Sequence, residues 1–483
     1  MADITFVNLN MLFVRYADAY DKELHLPLGL LYLTTVLERA GYDVDLRDYQ
    51  SCPADDPFDL DALVAFCADP APIIGLSCMA NLLPFTILAA ERLKRRYPDR
   101  AIVLGGVGAK AVEEKVLARF PWIDVVAHGE AEGAIVALVE ALKTSRDVSG
   151  VPGVFYRRAD GSIACNEPPP RIEDLDRIPR PAYHKVDLAT YDAYGMISSR
   201  GCPYKCSFCS VAPVWNHKCH FRSPEDVVAE MRELRDAAGV ELYLFQDEFF
   251  VSSKQAVVRF CDALARSGLD VKWKAFARVD LADEGMMRAM ADTGCLEIRF
   301  GIESGAASVL ERTSKGFTPE MAIDVVSRAT QLFPRVDAFF IWGYPDETME
   351  EFYQSLFQMI SFRLMGARIL PSLLCLLPQT ALYRSLPKER LAKAELCGEL
   401  LPEYMITGHE VCQVGSVSVR PEHAPFFDFI RAHKDLFPGF FLIDVEENIK
   451  PKLAALQEHG FYTRANRELS DLDSCGAHSP RLG

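Results

Sequence analysis

The chain has 483 residues, 49% of them hydrophobic and 25% charged, which is enough apolar material for more than one core and for two or three domains. A formal net charge of −16 repels phosphate backbones and disfavours nucleic acid as a partner without excluding it, since a local basic patch can survive in an acidic chain. A mean hydropathy of +0.03, with no apolar run of about 18 residues, sets aside a membrane span.

Met1-Ala2-Asp3-Ile4-Thr5 lacks a basic region ahead of an apolar core, so it reads as a first strand rather than a secretion signal, and the chain reads as cytoplasmic. Its 14 cysteines are then expected as free thiols and not as a disulfide framework. From residue 3 to about 143, short apolar runs alternate with amphipathic stretches, the pattern of a parallel sheet covered by helices. Strands are predicted over 4–8, 43–48, 73–77, 101–104 and 122–127, and helices over 29–40, 85–96 and 134–143. This makes residues 1–150 a Rossmann-like domain of roughly five strands. Pro168-Pro169-Pro170 and the turn Pro179-Arg180-Pro181 break regular structure and place a connector over 151–194. Strand patterns resume over 195–199, 241–245, 272–278, 296–302, 336–342 and 368–377, with helical stretches between them. Six such units over 195–385 predict an incomplete (β/α)6 barrel, so the chain as a whole is α/β. Residues 386–483 are expected to be helical and to end in a polar tail over 470–483.

The run Ser199-Arg200-Gly201-Cys202-Pro203-Tyr204-Lys205-Cys206-Ser207-Phe208-Cys209 carries the chemistry. Three thiolates spaced CxxxCxxC on one loop can hold three irons of a cubane cluster and leave the fourth open. The other reading is a structural zinc with a fourth ligand from His217, Cys219 or His220; zinc loops usually bring two CxxC-type pairs, and no second pair occurs here.

These residues, with an aromatic Phe208 before the last cysteine, resemble the radical S-adenosylmethionine (radical SAM) superfamily. Phe245-Gln246-Asp247-Glu248-Phe249, Phe300-Gly301-Ile302-Glu303-Ser304-Gly305 with Lys315-Gly316, Gly343-Tyr344-Pro345-Asp346 and Leu377-Pro378-Gln379-Thr380 resemble its later strand-end motifs in order. The resemblance implies a [4Fe-4S] cluster on Cys202, Cys206 and Cys209. It also implies S-adenosylmethionine held near Phe208, Gln246, Asp247, Glu248, Arg278, Glu303 and Ser304. Read without it, Asp247 or Glu248 could cap a helix, and Glu303 could be a buried carboxylate paired with Arg299 or Arg278.

In the first domain, glycine turns follow two predicted strands, Gly105-Gly106-Val107-Gly108 and His128-Gly129-Glu130-Ala131-Glu132-Gly133. A purely steric reason for such glycines stays open. Together with Pro27-Leu28-Gly29 and Gly75-Leu76-Ser77-Cys78, they resemble the cobalamin-binding domain that precedes the barrel in one large radical SAM subfamily. That implies cobalamin contacts at Ser77, Gly105, Gly106, Gly108, Gly129 and Glu130. The departure is Glu23-Leu24-His25-Leu26-Pro27-Leu28-Gly29, which stands where many such domains have DxHxxG; His25 is read first as a loop histidine and not as a cobalt ligand.

The function the resemblance implies is methylation of an unactivated carbon of a small molecule, through a 5′-deoxyadenosyl radical and methylcobalamin. An external one-electron donor of flavodoxin or ferredoxin type is implied as partner. Radical oxidation, cyclisation or ring rearrangement without methyl transfer stands as the alternative, with a non-catalytic cobalamin or redox sensor behind it. Methylthio transfer to RNA is disfavoured by the charge. Tyr404-Met405-Ile406-Thr407-Gly408-His409 is a stretch that could shape substrate choice.

Overall fold

The computed structural model describes residues 2–9, 24–52, 56, 58–191, 194–397, 400–402, 405 and 423–461. Residues 404 and 406–409 and the tail 470–483 lie outside the described residues.

The first sheet is built from β1 (Ile4–Asn8), β2 (Val44–Asp48), β3 (Ile73–Ser77), β4 (Ala101–Gly105), β5 (Val125–Ala127), β6 (Val154–Arg157) and β7 (Ile163–Cys165), in the order β2-β1-β3-β4-β5-β6-β7. The first five run parallel, with α1 (Leu28–Arg39), α2 (Leu60–Phe66), α3 (Leu83–Arg96), α4 (Glu113–Arg119) and α5 (Ile135–Thr144) between or after them. β3 and β4 read Ile-Ile-Gly-Leu and Ala-Ile-Val-Leu without alternation because both faces are covered and every side chain there is buried. Register aligns Asn8, Ser77 and Gly105 in one row at the C-terminal edge.

Two strands depart from the expected connector over 151–194. β6 and β7 form an antiparallel hairpin that extends the sheet from β5, so it has seven strands and reaches residue 165. Three- and four-residue strands beside a Pro-rich stretch carry too little periodicity to be read from sequence.

The second sheet contains β8 (Tyr194–Met196), β11 (Leu242–Phe245), β12 (Lys272–Ala277), β13 (Cys295–Glu303), β14 (Arg335–Trp342) and β15 (Arg368–Leu373), all parallel and in the order β15-β14-β13-β12-β11-β8. Its helices are α6 (Pro224–Ala238), α7 (Lys254–Ser267), α8 (Glu284–Asp292), α9 (Ala307–Arg312), α10 (Pro319–Leu332) and α11 (Met349–Leu364). Side chains follow the pleat: Tyr243, Phe245, Phe300 and Ile302 enter the core against these helices, which turns Leu244, Gln246, Gly301 and Glu303 to the opposite, lumen face. The predicted strand over 195–199 is interrupted. β9 (Ser199–Arg200) leaves the sheet and pairs antiparallel with β10 (His220–Phe221), closing the loop that carries the three cysteines.

One contiguous apolar cluster joins the two sheets. It includes Cys78 and Leu82 after β3 and Ala109 and Val112 after β4. From the other side come Ala306 and Val309 after β13, Tyr344 after β14 and Leu374 to Leu377 after β15. The C-terminal edges of both sheets therefore look into the same space. The C-terminal helix Ala424–Ala432 adds Phe426, Phe427 and Ile430 to this cluster, and Arg119 of α4 makes a two-toothed ion pair with Asp435 at 2.6 and 2.8 Å.

Candidate functional site

The cysteine loop is a lobe closed at its base by β9 and β10 and crossed by one contact, His217 Nδ1 to the Tyr204 carbonyl at 2.9 Å. Gly201 opens it with φ +97°, and a Cβ there would lie 2.1 Å from the Lys218 carbonyl oxygen, so only glycine lets the two sides of the lobe meet. Glu248, just beyond β11, fastens the lobe: its carboxylate accepts from the Gly201 N–H at 3.1 Å and from Trp215 Nε1 at 3.0 Å.

Cys202, Cys206 and Cys209 are half-buried free thiols on this lobe. Burial pushes the Cys202 thiol up and the Cys209 thiol up to about 11, and each is raised further by its neighbouring cysteines. Arg278, after β12, donates from Nη1 to Cys206 Sγ at 3.7 Å, lies 3.5 Å over the Tyr204 ring, bonds the Lys315 carbonyl and is held by Asp280 at 2.9 Å. Cys219 is half-buried; burial, then Cys202, push its thiol up to about 12. Of its sequence neighbours, His217 is engaged in the lobe crossing, whereas His220 pairs through its backbone in β10 and its buried Nε2 has no partner among the described residues.

Glu303 closes β13 at a bulge, with φ +68°, a conformation that costs a non-glycine residue about 1 kcal/mol or more. It is buried and accepts from Lys315 Nζ at 2.7 Å. Lys315 Nζ in turn lies 5.8 Å from the Phe208 ring centre, and Phe208 meets Tyr344 edge-on at 6.1 Å. The bent backbone at Glu303 and the glycine at 301, where a Cβ would sit 2.6 Å from the Glu303 carboxylate, bring this pair over the lumen beside the cysteine loop.

Of the residues expected around S-adenosylmethionine, Arg278 meets the Cys206 sulfur, Phe208 and Glu303 share the Lys315 ammonium, and Gln246 lies on the lumen face against Gly195. Two others go elsewhere. Asp247 is buried and its carboxylate accepts from the Ser198 N–H at 2.9 and 3.0 Å, Ser198 Oγ at 2.7 Å and Ser199 Oγ at 2.6 Å. Ser304 is fully buried, its hydroxyl shared with Ser355 Oγ at 2.9 Å and the Ala306 N–H at 3.1 Å. Glu248 is exposed and meets the loop through Gly201 and Trp215. Lys315 and Tyr344 stand in the quoted motifs, but their contacts with Glu303 and Phe208 were not predicted.

On the cobalamin side, Ser77 and Gly105 lie side by side on the C-terminal edge. Gly106 and Gly108 are closely packed: a Cβ on either would sit 2.5 to 2.6 Å from the backbone of Cys78 or Met79. Gly129, at φ +83°, faces Pro168. Glu130, expected as a cobalamin contact, has partners within the chain. It is buried and accepts from Arg171 Nε at 2.9 Å and the Ile172 N–H at 2.7 Å, and it pairs with Arg200 at 3.4 Å, so it ties the first sheet to the connector and to β9. Arg200 also reaches Glu132 at 2.6 Å, and Arg171 stacks on Trp215 at 4.7 Å. Asn81, in the loop between β3 and α3, is 2% exposed, and its Oδ1 has no partner among the described residues. An orphaned acceptor on this edge fits a cofactor rimmed with amide donors. His25 is buried, its backbone clasped by Gln50, which accepts from the His25 N–H at 3.3 Å and donates to its carbonyl at 2.8 Å.

A parallel sheet covered by helices whose C-terminal edge packs against that of a six-stranded parallel half-barrel, with three free thiols on a loop at the start of the second sheet, defines an α/β architecture of two ligand-binding types. The radical SAM superfamily profile matches residues 196–359 and the B12 binding domain profile residues 19–139. The chain is 33% identical over 330 residues to the uncharacterized methyltransferase PH0819 of Pyrococcus horikoshii, covering 67% of this chain and 71% of that protein. It is 28% identical over 344 residues to the anaerobic magnesium-protoporphyrin IX monomethyl ester cyclase of Synechocystis, covering 70% and 68%. Among solved structures, the radical S-adenosylmethionine methyltransferase TsrM from Kitasatospora setae superposes with a TM-score of 0.66 at 18% identity, over 98% of this chain and 99% of that one. The cobalamin-dependent radical enzyme OxsB superposes with 0.65 at 17% identity, over 99% and 76%. The chain belongs to the cobalamin-dependent radical SAM family. Its cofactors are a [4Fe-4S] cluster, S-adenosylmethionine and cobalamin. No helix among the described residues is long and apolar enough to cross a membrane.

Proposed function

We propose that this enzyme methylates an unactivated carbon of a small-molecule substrate, with Cys202, Cys206 and Cys209 holding the cluster. The observation that carries the reading is the meeting of the two C-terminal sheet edges in one apolar cluster, which supports a methyl carrier and a radical source held close together and away from water. When bound, the cofactors supply electron transfer to a sulfonium, a carbon radical and a transferable methyl group. The chain's own residues position and exclude. Arg278 sets a guanidinium against the Cys206 sulfur, and Glu303, held by Lys315, offers a carboxylate on the lumen side of the same loop as a ribose contact. Phe208 and Tyr344 wall the loop from water. Ser77, Gly105 and Asn81 line the edge that would take cobalamin. Methyltransferases among the relatives, including the cytidylyl-2-hydroxyethylphosphonate methyltransferase of Streptomyces wedmorensis at 27% identity, support this outcome.

The cyclase relatives favour a second reading, oxidative ring closure without methyl transfer. Product stoichiometry separates the two. Carbon methylation consumes two S-adenosylmethionine molecules and is expected to release 5′-deoxyadenosine and S-adenosylhomocysteine in equal amounts, with methyl label on the product. Deoxyadenosine without the homocysteine product would overturn methylation in favour of ring closure.

A further inference from the structure

Eight large apolar side chains are exposed among the described residues, and half of them belong to a single helix of the second sheet. Tyr353, Phe357 and Leu364 lie on α11, exposed by 52%, 71% and 84%, and Met365 caps it. At about 100° per residue, Tyr353, Phe357, the half-buried Ile360 and Leu364 fall within about 60° of arc and form one outward stripe. The inward face of α11 is already used. Phe352, Leu356, Met359 and Phe362 enter the core, and Ser355 Oγ accepts from the Gly305 N–H at 2.9 Å, two residues beyond the Glu303 bulge. A helix on the outside of a half-barrel needs one apolar face; a second marks contact with another surface.

The spacing of the stripe says which surface. Its residues are separated by four, three and four positions, so the pattern reads the same from either end. Two copies related by a two-fold axis, with their α11 helices antiparallel, therefore set Tyr353 against Leu364 and Phe357 against Ile360, each contact made twice. Glu350 and Arg363 border the stripe towards its two ends, are exposed and form no ion pair with a described residue. The same arrangement brings each within about one helical turn of the opposite charge on the other copy. The exposed apolar surface is on the order of 500 Å² per copy, which gives two copies about the 1,000 Å² that a specific interface needs. The net charge of −16 opposes self-association, but no charge lies within the stripe, and at about 0.1 M salt repulsion is screened beyond about 10 Å. We propose that the outward stripe of α11 is the two-fold interface of a homodimer. It lies on the back of the helix that supports the turn after Glu303, and so leaves the meeting edges of the two sheets open to substrate.

The test follows the mass of the reconstituted, reduced full-length protein by sedimentation equilibrium at micromolar concentrations. Wild type is expected at twice the chain mass of 54.0 kDa. Phe357→Glu and Ile360→Lys are each expected to raise the dimer dissociation constant at least tenfold, with far-UV circular dichroism and iron content at wild-type values. An equimolar mixture of the two variants is expected to recover the dimer, because position 357 of one copy meets 360 of the other: the mixed pair sets Glu against Lys and keeps the second Phe–Ile contact. Tyr353→Lys mixed with Leu364→Glu makes the same test at the more exposed positions should Ile360→Lys misfold. A monomeric wild type overturns the interface and leaves the stripe to residues 462–483 or to another protein. Dimers that persist in the single variants overturn it by placing the contact elsewhere. Variants that stay monomeric on mixing overturn the antiparallel pairing.

Discussion

Asp247 shows what a single carboxylate does when four hydrogen bonds claim it. Burial, working against the Ser198 and Ser199 donors, pushes its acidity constant up from 3.8 to about 6. The native chain thus keeps a proton that the unfolded chain releases, so this group favours folding fully below about pH 4 and the contribution is lost as pH rises through 6. A shift of this size corresponds to roughly 3 kcal/mol. Urea unfolding of wild type and Asp247→Asn should show their stability difference moving against wild type by about 2–3 kcal/mol between pH 4 and pH 7. A difference flat with pH would mean the carboxylate is not buried as described. At the same scale, a strand-end acidic residue in a family-like motif was expected to meet the cofactor, whereas Glu303 faces the lumen and Asp247 does not. The difference is one of pleat and bulge: Glu303 is turned by a bulge and a left-handed backbone, while Asp247 folds back under Ser198.

The cysteine lobe is the element on which the chemistry depends, and its shape hangs on Gly201. Replacing that hydrogen by a methyl group drives Cβ to 2.1 Å from the Lys218 carbonyl and 3.0 Å from Trp215 Cβ, in a backbone conformation that L side chains resist. Gly201→Ala is therefore expected to splay the lobe and lower iron bound per chain after reconstitution by half or more, as a colorimetric iron assay would read. Retention of full iron content would show that the loop closes by another route. The sequence made the CxxxCxxC run visible at once, because ligands on one loop are local. It did not show β9 pairing with β10, since two-residue strands have no period to read.

Across the molecule, the two sheets are held in one orientation by a buried ionic knot: Glu130 and Glu132 from the first, Arg171 from the stretch between them, and Arg200 at the base of the cysteine lobe. Breaking a buried pair by removing one charge leaves the other stranded, at a cost of about 3–5 kcal/mol. Glu130→Gln should lower the urea midpoint correspondingly and increase amide exchange in 171–172 and 200–201. A change below about 1 kcal/mol would mean that the knot is solvated and holds nothing.

What the sequence determined alone was what is local or periodic: the α/β alternation, the order of the strands, the thiol spacing, and the two family-like halves. Those follow from side-chain period and from ligands set a few residues apart. Only the tertiary structure decided the β6–β7 extension, the burial of Asp247 and Ser304, the close packing of Gly106 and Gly108 on the Cys78–Met79 backbone, and the ion pairs of Glu130 with Arg171 and Arg200. Each of these depends on a partner from tens of residues away in the chain, or on which face of a strand a residue takes, and neither is written in the residue itself.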